Sequence, residues 1–406
     1  MFMLLNGSRG VIFYGLATNA ARMLVGATSI VYLMSSGMTV ADIGWLKSIQ
    51  AAVILFADIP FGYIADKFGR GNTVKISTLF SVIWLSMTAI GGHKFVFMLA
   101  EVFNALSIAL FSGAFNALLI ETYKKETGNV NFEKIIGSFY KWQFILMAIF
   151  SFVGAIIFPP DSKKIWWFAA MAITAIMFLF NHVIPMNKEK QTLYKKENYN
   201  KNIIGTIKNV FSTRIALPMV IICTTISLCF QIAIQFWQPM IAGENLSKIY
   251  GGFYGIAFVL ILLSQSLASH IAQQIKAKIL TLVLISIIMM MTFVITFIFY
   301  DELSKYFLLV FICVSFFLIK LINIHSLSIF LQCQSDSQWA TSESLVSSMT
   351  RACLLFILPI IGGICHRFGI EFIFLLLSII SGLYVIISGL ACLSLNKKNT
   401  LYKEDI

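Results

Sequence analysis

The stretch "FGYIADKFGRGNTVK" (residues 61–75) places a dense group of charges between two apolar runs. Four charged side chains stand there among three glycines: Asp66, Lys67, Arg70 and Lys75. The whole chain has 406 residues, of which 59% are hydrophobic and only 12% are charged. A soluble fold of this size needs far more charge to cover its surface. The stretch therefore predicts a polar connection between two membrane-spanning segments.

Apolar runs long enough to cross a bilayer, which takes roughly 20 residues of helix, recur along the chain. Backbone polar groups must be paired inside lipid, so we expect these runs to be helices. The sequence predicts an all-α integral membrane protein with twelve transmembrane helices in two pseudo-symmetric six-helix bundles. The predicted spans cover residues 11–34, 43–63, 73–91, 95–119, 135–158, 165–185, 215–241, 250–274, 279–299, 305–331, 340–364 and 371–394.

The longest gap between spans predicts the division into domains. It covers residues 186–214 and carries seven Lys and Arg residues, which favours a solvated cytoplasmic linker. The N-terminal bundle is then 1–185 and the C-terminal bundle 215–406. A weak internal repeat supports two related halves, because "SHIAQQIKAK" (269–278) follows span eight as the opening stretch follows span two. In that alignment Gln273 replaces Asp66, so we expect the second copy to act weakly.

The distribution of Lys and Arg predicts the orientation of the chain. Nineteen of the 30 fall on the side of the N-terminus, seven on the opposite side and four within spans. This bias predicts that both termini are cytoplasmic. The chain is expected to be a multi-pass protein of the cell membrane, the inner membrane in a bacterium. Lys47 and Lys94 are counted among the outer connections. The net charge of +12 then reflects this bias and attraction to the lipid bilayer, not nucleic-acid binding. A monomer is expected.

The spacing in the opening stretch resembles the signature between spans two and three of the major facilitator superfamily. In that family the aspartate caps a helix of the opposite half, and the arginine pairs with an acid at the cytoplasmic end of span four. The resemblance implies that Glu121, in "NALLIETYKK", is this acid. It further implies that one set of residues forms a gate latch, which holds the halves together while the cavity faces outward. The set is Gly62, Asp66, Lys67, Gly69, Arg70 and Glu121.

Ionisable residues inside the membrane cost roughly 2.5–3.5 kcal/mol each, so they usually face the bundle interior. Polar side chains share helical faces with such residues in several spans. Spans one, four, seven and ten line the cavity in the superfamily that the chain resembles. The predicted cavity residues are Asn19, Arg22, Asn104, Gln231, Gln235, Lys320, Asn323 and Arg351. The predicted proton-coupling residues are Asp58 and Glu101, although Asp58 could equally be a packing partner of Arg22.

The energy source is expected to be an ion gradient. The sequence has no phosphate-binding Gly-x-x-x-x-Gly-Lys-Ser/Thr loop and no zinc-type His/Glu motif. We therefore expect no enzyme activity, no cofactor and no metal, with a proton gradient as the driving force.

A resemblance to one branch of the superfamily gives the expected cargo. The segments "DIPFGYIAD", "SGAFNALLIE" and "FWQPMI" are similar to the branch of drug and antibiotic exporters. The resemblance implies proton-driven antiport that exports a toxic or antimicrobial small molecule, with a role in antibiotic resistance or self-immunity. The chain departs from that branch in span five, where "SFVGAIIFPP" only partly matches the Gly-Pro signature of antiporters.

The charge balance inside the membrane predicts the kind of substrate. Three cations, Arg22, Lys320 and Arg351, face two acids, Asp58 and Glu101. Arginine suits bidentate contacts with phosphate or carboxylate, so we expect a small or peptide-like substrate with an anionic or zwitterionic part. A self-immunity exporter for a peptide–nucleotide antibiotic of the microcin C type is one candidate. The alternatives are a proton-coupled uptake symporter for a small metabolite and, in another class, a membrane-embedded sensor or enzyme.

Overall fold

The computed structural model describes residues 7–127, 132–180, 184, 216–243, 250–275, 279–332 and 339–401. Regular structure in these ranges is entirely helical. The predicted linker at 186–214 lies outside them. Residues 58, 62 and 66 belong to a helix, but their side-chain positions also lie outside the described part.

Thirteen helices run through the described ranges. Ten of them contain an apolar window of membrane length, and an eleventh is a shorter apolar helix. The remaining two form the first span in two pieces, so the described helices make up the twelve predicted spans. The helices are α1 (Gly7–Met23), α2 (Ser29–Ser35), α3 (Val40–Phe68), α4 (Arg70–Ile90), α5 (Lys94–Thr127), α6 (Phe132–Ile157), α7 (Lys164–Leu179), α8 (Ala216–Ala242), α9 (Gly251–Gln274), α10 (Ile279–Ile298), α11 (Lys305–Gln332), α12 (Trp339–Phe368) and α13 (Phe372–Leu401).

The first span is broken at residues 24–28, which form turns between α1 and α2. The amide of Gly26 donates to the carbonyl of Met23 at 2.9 Å, a bond three residues back instead of the four of an α-helix. The prediction of one continuous helix over 11–34 is therefore wrong in its middle. The break packs on α6, where a Cβ added at Gly154 would lie 2.1 Å from the carbonyl oxygen of Leu24. The absence of a side chain at Gly154 allows this close approach.

The opening stretch is not a loop. Helix α3 continues to Phe68 and α4 begins at Arg70, so Gly69 alone separates them. Gly69 has a φ of 91°, a conformation that residues with a Cβ rarely adopt. The hydroxyl of Thr73 donates to the Gly69 carbonyl at 3.1 Å and satisfies it in the first turn of α4. The charges predicted for a connecting loop therefore lie on the ends of two helices.

The chain forms two compact units, one of Met1–Tyr194 with Asn245–Val259 and one of Lys195–Glu244 with Leu260–Ile406. In the first unit α4 packs on α5 and α7, and α1 packs on α5, α6 and α7. In the second unit α10 packs on α11 and α13, and α8 packs on α11, α12 and α13. The same packing order thus recurs within each unit, as a repeat of six spans requires. The exact boundaries 1–185 and 215–406 stay a prediction.

Candidate functional site

A buried polar cluster lies within the first unit, where α1, α3, α4 and α5 contribute side chains. We call it the Arg22 cluster, and its members are Arg22, Lys47, Ser77, Ser81, Trp84, Glu101, Asn104 and Ser107. Arg22 stands in the last turn of α1, directly before the break in the first span. A cation is favoured there because the C-terminal end of a helix carries partial negative charge.

The guanidinium of Arg22 is held by neutral groups. Its Nη1 donates to the hydroxyls of Ser81 and Ser107, the latter at 2.7 Å, and its Nη2 donates to Asn104 Oδ1 at 2.6 Å. Its carbon Cζ lies 5.0 Å from the centre of the Trp84 ring, a cation–π contact. A guanidinium has five N–H donors, so the Nε–H and one Nη2–H have no acceptor among the described residues. No carboxylate of the described part forms an ion pair with this cation.

Three serines fix the acceptors that Arg22 uses. The hydroxyl of Ser77 donates to the Ser107 carbonyl at 2.9 Å, and the hydroxyl of Ser107 donates to the Ser77 carbonyl at 2.8 Å. The hydroxyls of Ser81 and Ser107 are 2.6 Å apart. All three serines are buried, and such small polar residues let membrane helices approach closely. The α4–α5 contact therefore presents its oxygens at set positions.

Glu101 is connected to Arg22 through Asn104. Its Oε1 accepts from Lys47 Nζ at 2.8 Å and from Asn104 Nδ2 at 3.1 Å. The Asn104 amide thus donates to the acid on one side and accepts from Arg22 on the other, which sets its orientation. Glu101 Oε2 accepts no hydrogen bond from the described residues. The cluster contains two cations and one carboxylate, so it carries a net charge of +1 when Glu101 is ionised.

The structure corrects the predicted position of Lys47. It lies inside α3 instead of in an outer connection, with a side chain that is 13% exposed. Its partner Glu101 comes from α5, so no local pattern could reveal the pair. The serines were also missed, although Ser77, Ser81 and Trp84 follow helical spacing of four and three and mark a polar stripe on span three.

Asn19 and Asp58 were also predicted to act together with Arg22. Asn19 lies three residues before Arg22 on the same face of α1, and its Nδ2 is buried with no partner among the described residues. The side chain of Asp58 lies outside the described residues. Its predicted pairing with Arg22 and its predicted role in proton coupling both stay predictions.

Two charged residues of the predicted gate latch, Arg70 and Glu121, lie close together. Arg70 Nη1 lies 3.5 Å from Glu121 Oε2 and also donates to the Ala117 carbonyl at 3.4 Å. Glu121 is shared with Lys125, whose Nζ lies 3.3 Å from its Oε1. This ion pair joins α4 to the end of α5, which extends beyond the predicted span and carries Glu121. Its role in gating stays a prediction.

The other latch residues occupy the junction of α3 and α4. Lys67 is exposed, with Nζ 5.6 Å from the centre of the Phe68 ring. Gly69 forms the junction itself. Gly62 and the carboxylate of Asp66 lie outside the described positions, so the capping bond that the resemblance implies for Asp66 also stays a prediction.

The predicted cavity residues of the second unit lie on helices that pack together. Helix α8 packs on both α11 and α12. Each of these side chains is half-buried, and Lys320 Nζ forms no hydrogen bond or ion pair with the described residues. The residues are Gln231 and Gln235 on α8, Lys320 and Asn323 on α11, and Arg351 on α12.

Comparison with known proteins gives a family match and two relatives in sequence. The family model of the Major Facilitator Superfamily matches residues 11–336. The uncharacterized MFS-type transporter YxaM of Bacillus subtilis (strain 168) is 23% identical over 248 residues, which are 58% of this chain and 60% of that protein. The MFS-type transporter YqjV of the same organism is 28% identical over 118 residues, or 29% of this chain and 28% of that protein. These matches span less than two thirds of either relative.

Solved structures share the fold at low sequence identity. The crystal structure of the nucleoside transporter NupG matches with a TM-score of 0.73 and 14% identity, over 94% of this chain and 98% of that chain. A POT family transporter in complex with 5-aminolevulinic acid matches with a TM-score of 0.65 and 13% identity, over 95% of each chain. The family match covers most of the sequence, and the two repeated helical units agree with it. The chain therefore belongs to the Major Facilitator Superfamily and is a multi-pass membrane protein.

Proposed function

We propose that the protein exports a zwitterionic small molecule that is toxic to the cell, with Arg22 as the anchor for its anionic group. One observation carries this proposal: a half-buried arginine is held by two hydroxyls, one amide oxygen and one ring, and two of its N–H donors have no acceptor among the described residues. Such a cation can pair with a phosphate or carboxylate at no cost to an existing ion pair. Transport would follow alternating access, driven by the proton gradient.

Glu101 is the proposed proton site. It is buried at 3% exposure, and it connects to Arg22 through a single amide side chain. The two hydrogen bonds put the carboxylate no more than roughly 8 Å from the guanidinium. At that separation, a charge change of one unit alters binding at Arg22 by about 2 kcal/mol with an effective dielectric constant near 20. A proton on Glu101 therefore affects the substrate measurably.

The sign of this coupling depends on the charge of the substrate. A proton on Glu101 removes a negative charge and strengthens the binding of a pure anion at Arg22. By reciprocity the anion strengthens proton binding, which produces symport. A zwitterion behaves differently, because its ammonium group can pair with Glu101 Oε2, which accepts no hydrogen bond from the described residues, and then compete with the proton. Competition for one carboxylate produces antiport, so export favours a substrate that carries both charges.

An uptake symporter is the second candidate, and the same geometry supports it for a purely anionic metabolite. The proposals differ in the substrate that they require. Antiport needs an ammonium group near the anionic group, whereas symport needs only the anion. A peptide–nucleotide antibiotic of the microcin C type is a candidate substrate under the first proposal, because it carries both kinds of group. The protein would then be a self-immunity exporter.

A growth-inhibition panel tests the proposal in cells with and without the protein. The compounds come in matched sets: a toxic zwitterion, its carboxyl ester and its N-acyl derivative. We expect the protein to protect against the zwitterion by about tenfold more than against the ester, as expected for the loss of a charge-assisted hydrogen bond. If cells with the protein are more sensitive to the N-acyl anion than cells without it, the symporter is favoured. Protection confined to lipophilic cations would overturn the Arg22 anchor.

A further inference from the structure

Lys47 occupies the carboxylate that would otherwise neutralise Arg22. Its Nζ lies 2.8 Å from Glu101 Oε1, and both side chains are mostly buried, at 13% and 4% exposure. Arg22 reaches the same carboxylate only through Asn104. The described residues of the cluster offer no second acid. The positive charge of Arg22 therefore stays available because Lys47 satisfies Glu101.

We infer that Lys47 determines the charge selectivity of the Arg22 cluster, although it need not contact the substrate. The inference rests on the proposed function, in which Arg22 binds an anionic group. With Lys47 present the cluster carries +1 and favours an anion. Without Lys47, the buried Glu101 has Arg22 as its nearest cation in the described part of the chain. The acid then neutralises the guanidinium, and the cluster loses its preference for negative charge.

Two variants separate this role from simple packing. Lys47→Met removes the ammonium but keeps much of the apolar stem, so the cluster falls from +1 to zero. Lys47→Met combined with Glu101→Gln returns the cluster to +1, since Arg22 is then the only charge among its members. Loss of packing would weaken all ligands alike, whereas a change of net charge alters the ratio between charged and neutral ligands.

The probes are adenosine 5′-monophosphate and adenosine, which differ only by the phosphate group. Their affinities for the purified full-length protein in detergent are measured by isothermal titration calorimetry. We expect the wild type to prefer the monophosphate and Lys47→Met to lower that preference by about tenfold, from the loss of one unit of charge within roughly 11 Å of the guanidinium. The double variant should recover the preference of the wild type.

Lys94 supplies the matched control. It joins the same two helices as Lys47 does, with Nζ 2.6 Å from Asp42 Oδ2, but its side chain is 52% exposed. It precedes Glu101 by seven residues, or roughly 10 Å along α5. Lys94→Met should leave the ratio of the two affinities unchanged.

The outcomes distinguish the inference from the proposed function. A wild type without any preference for the monophosphate would overturn the anion anchor at Arg22, and the inference with it. A wild-type preference that persists in Lys47→Met would overturn the role of Lys47 alone and leave the anchor intact. If Lys94→Met reduces the preference for the monophosphate as strongly as Lys47→Met does, the role of Lys47 is also overturned. The effect would then be one of general electrostatics.

Discussion

Replacing Gly154 by alanine should disturb the Arg22 cluster from a distance. The new Cβ would lie 2.1 Å from the Leu24 carbonyl oxygen and 2.9 Å from its carbonyl carbon, both of them backbone atoms. Contacts between carbon and oxygen need more than 3 Å, so α6 or the broken segment must move by roughly 1 Å. Overpacking of this kind costs about 1–3 kcal/mol. Because Leu24 follows Arg22 by two residues, the guanidinium should move relative to its acceptors.

The measurements for Gly154→Ala are the thermal unfolding midpoint in detergent and the rate of transport at equal abundance. We expect a lower midpoint and a transport rate reduced by about tenfold, since 1.4 kcal/mol corresponds to that factor. Gly363→Ala is the matched control, because a Cβ at this helical glycine in α12 meets no heavy atom within 4 Å. A Gly154→Ala protein that matches the wild type in both measurements would refute the proposed contact between the break and α6. Equal losses in the two variants would refute it as well.

Three further substitutions concern the gate latch and the second unit. Asp66→Asn should impair transport with insertion intact, whereas Glu121→Gln should reduce it only about twofold to fivefold, because a partly exposed ion pair contributes under about 1 kcal/mol. Their combined effect should be less than additive, as expected for one network, and normal transport by Asp66→Asn at equal abundance would contradict the gating role. Lys320→Ala should reduce export of substrates with an anionic group by about tenfold if the ammonium binds that group. Unchanged vesicle transport of such a substrate would remove Lys320 from the proposed cavity.

Periodicity and the opening stretch were sufficient to predict the helical scaffold. Twelve apolar runs predicted twelve spans, because a helix must be of similar length each time to cross the bilayer and because an α-helix pairs all of its own backbone polar groups. The junction at Gly69 was harder to predict, because a charged stretch resembles a loop whether or not helices continue through it. The break at 24–28 was not predicted, since it packs against Gly154, more than a hundred residues away in the sequence.

Residues of the site were predictable where the type of side chain alone was informative. Arg22, Glu101 and Asn104 were identified because ionisable and amide groups are expensive inside a membrane. Lys47 was missed because a lysine near the start of a span resembles an interfacial residue that reaches toward water. Only its partner on α5 identifies it as buried, and such pairing between distant segments requires tertiary structure.

Uptake by everted membrane vesicles tests whether Arg22 anchors a substrate that moves against the proton gradient. A radiolabelled zwitterion from the growth panel is followed in vesicles with the wild type or with Arg22→Gln, each with and without an uncoupler. We expect accumulation by the wild type that the uncoupler abolishes, and a loss of about tenfold or more in Arg22→Gln at equal abundance. Accumulation that is insensitive to the uncoupler, or equal in the two proteins, would contradict proton-driven export through Arg22.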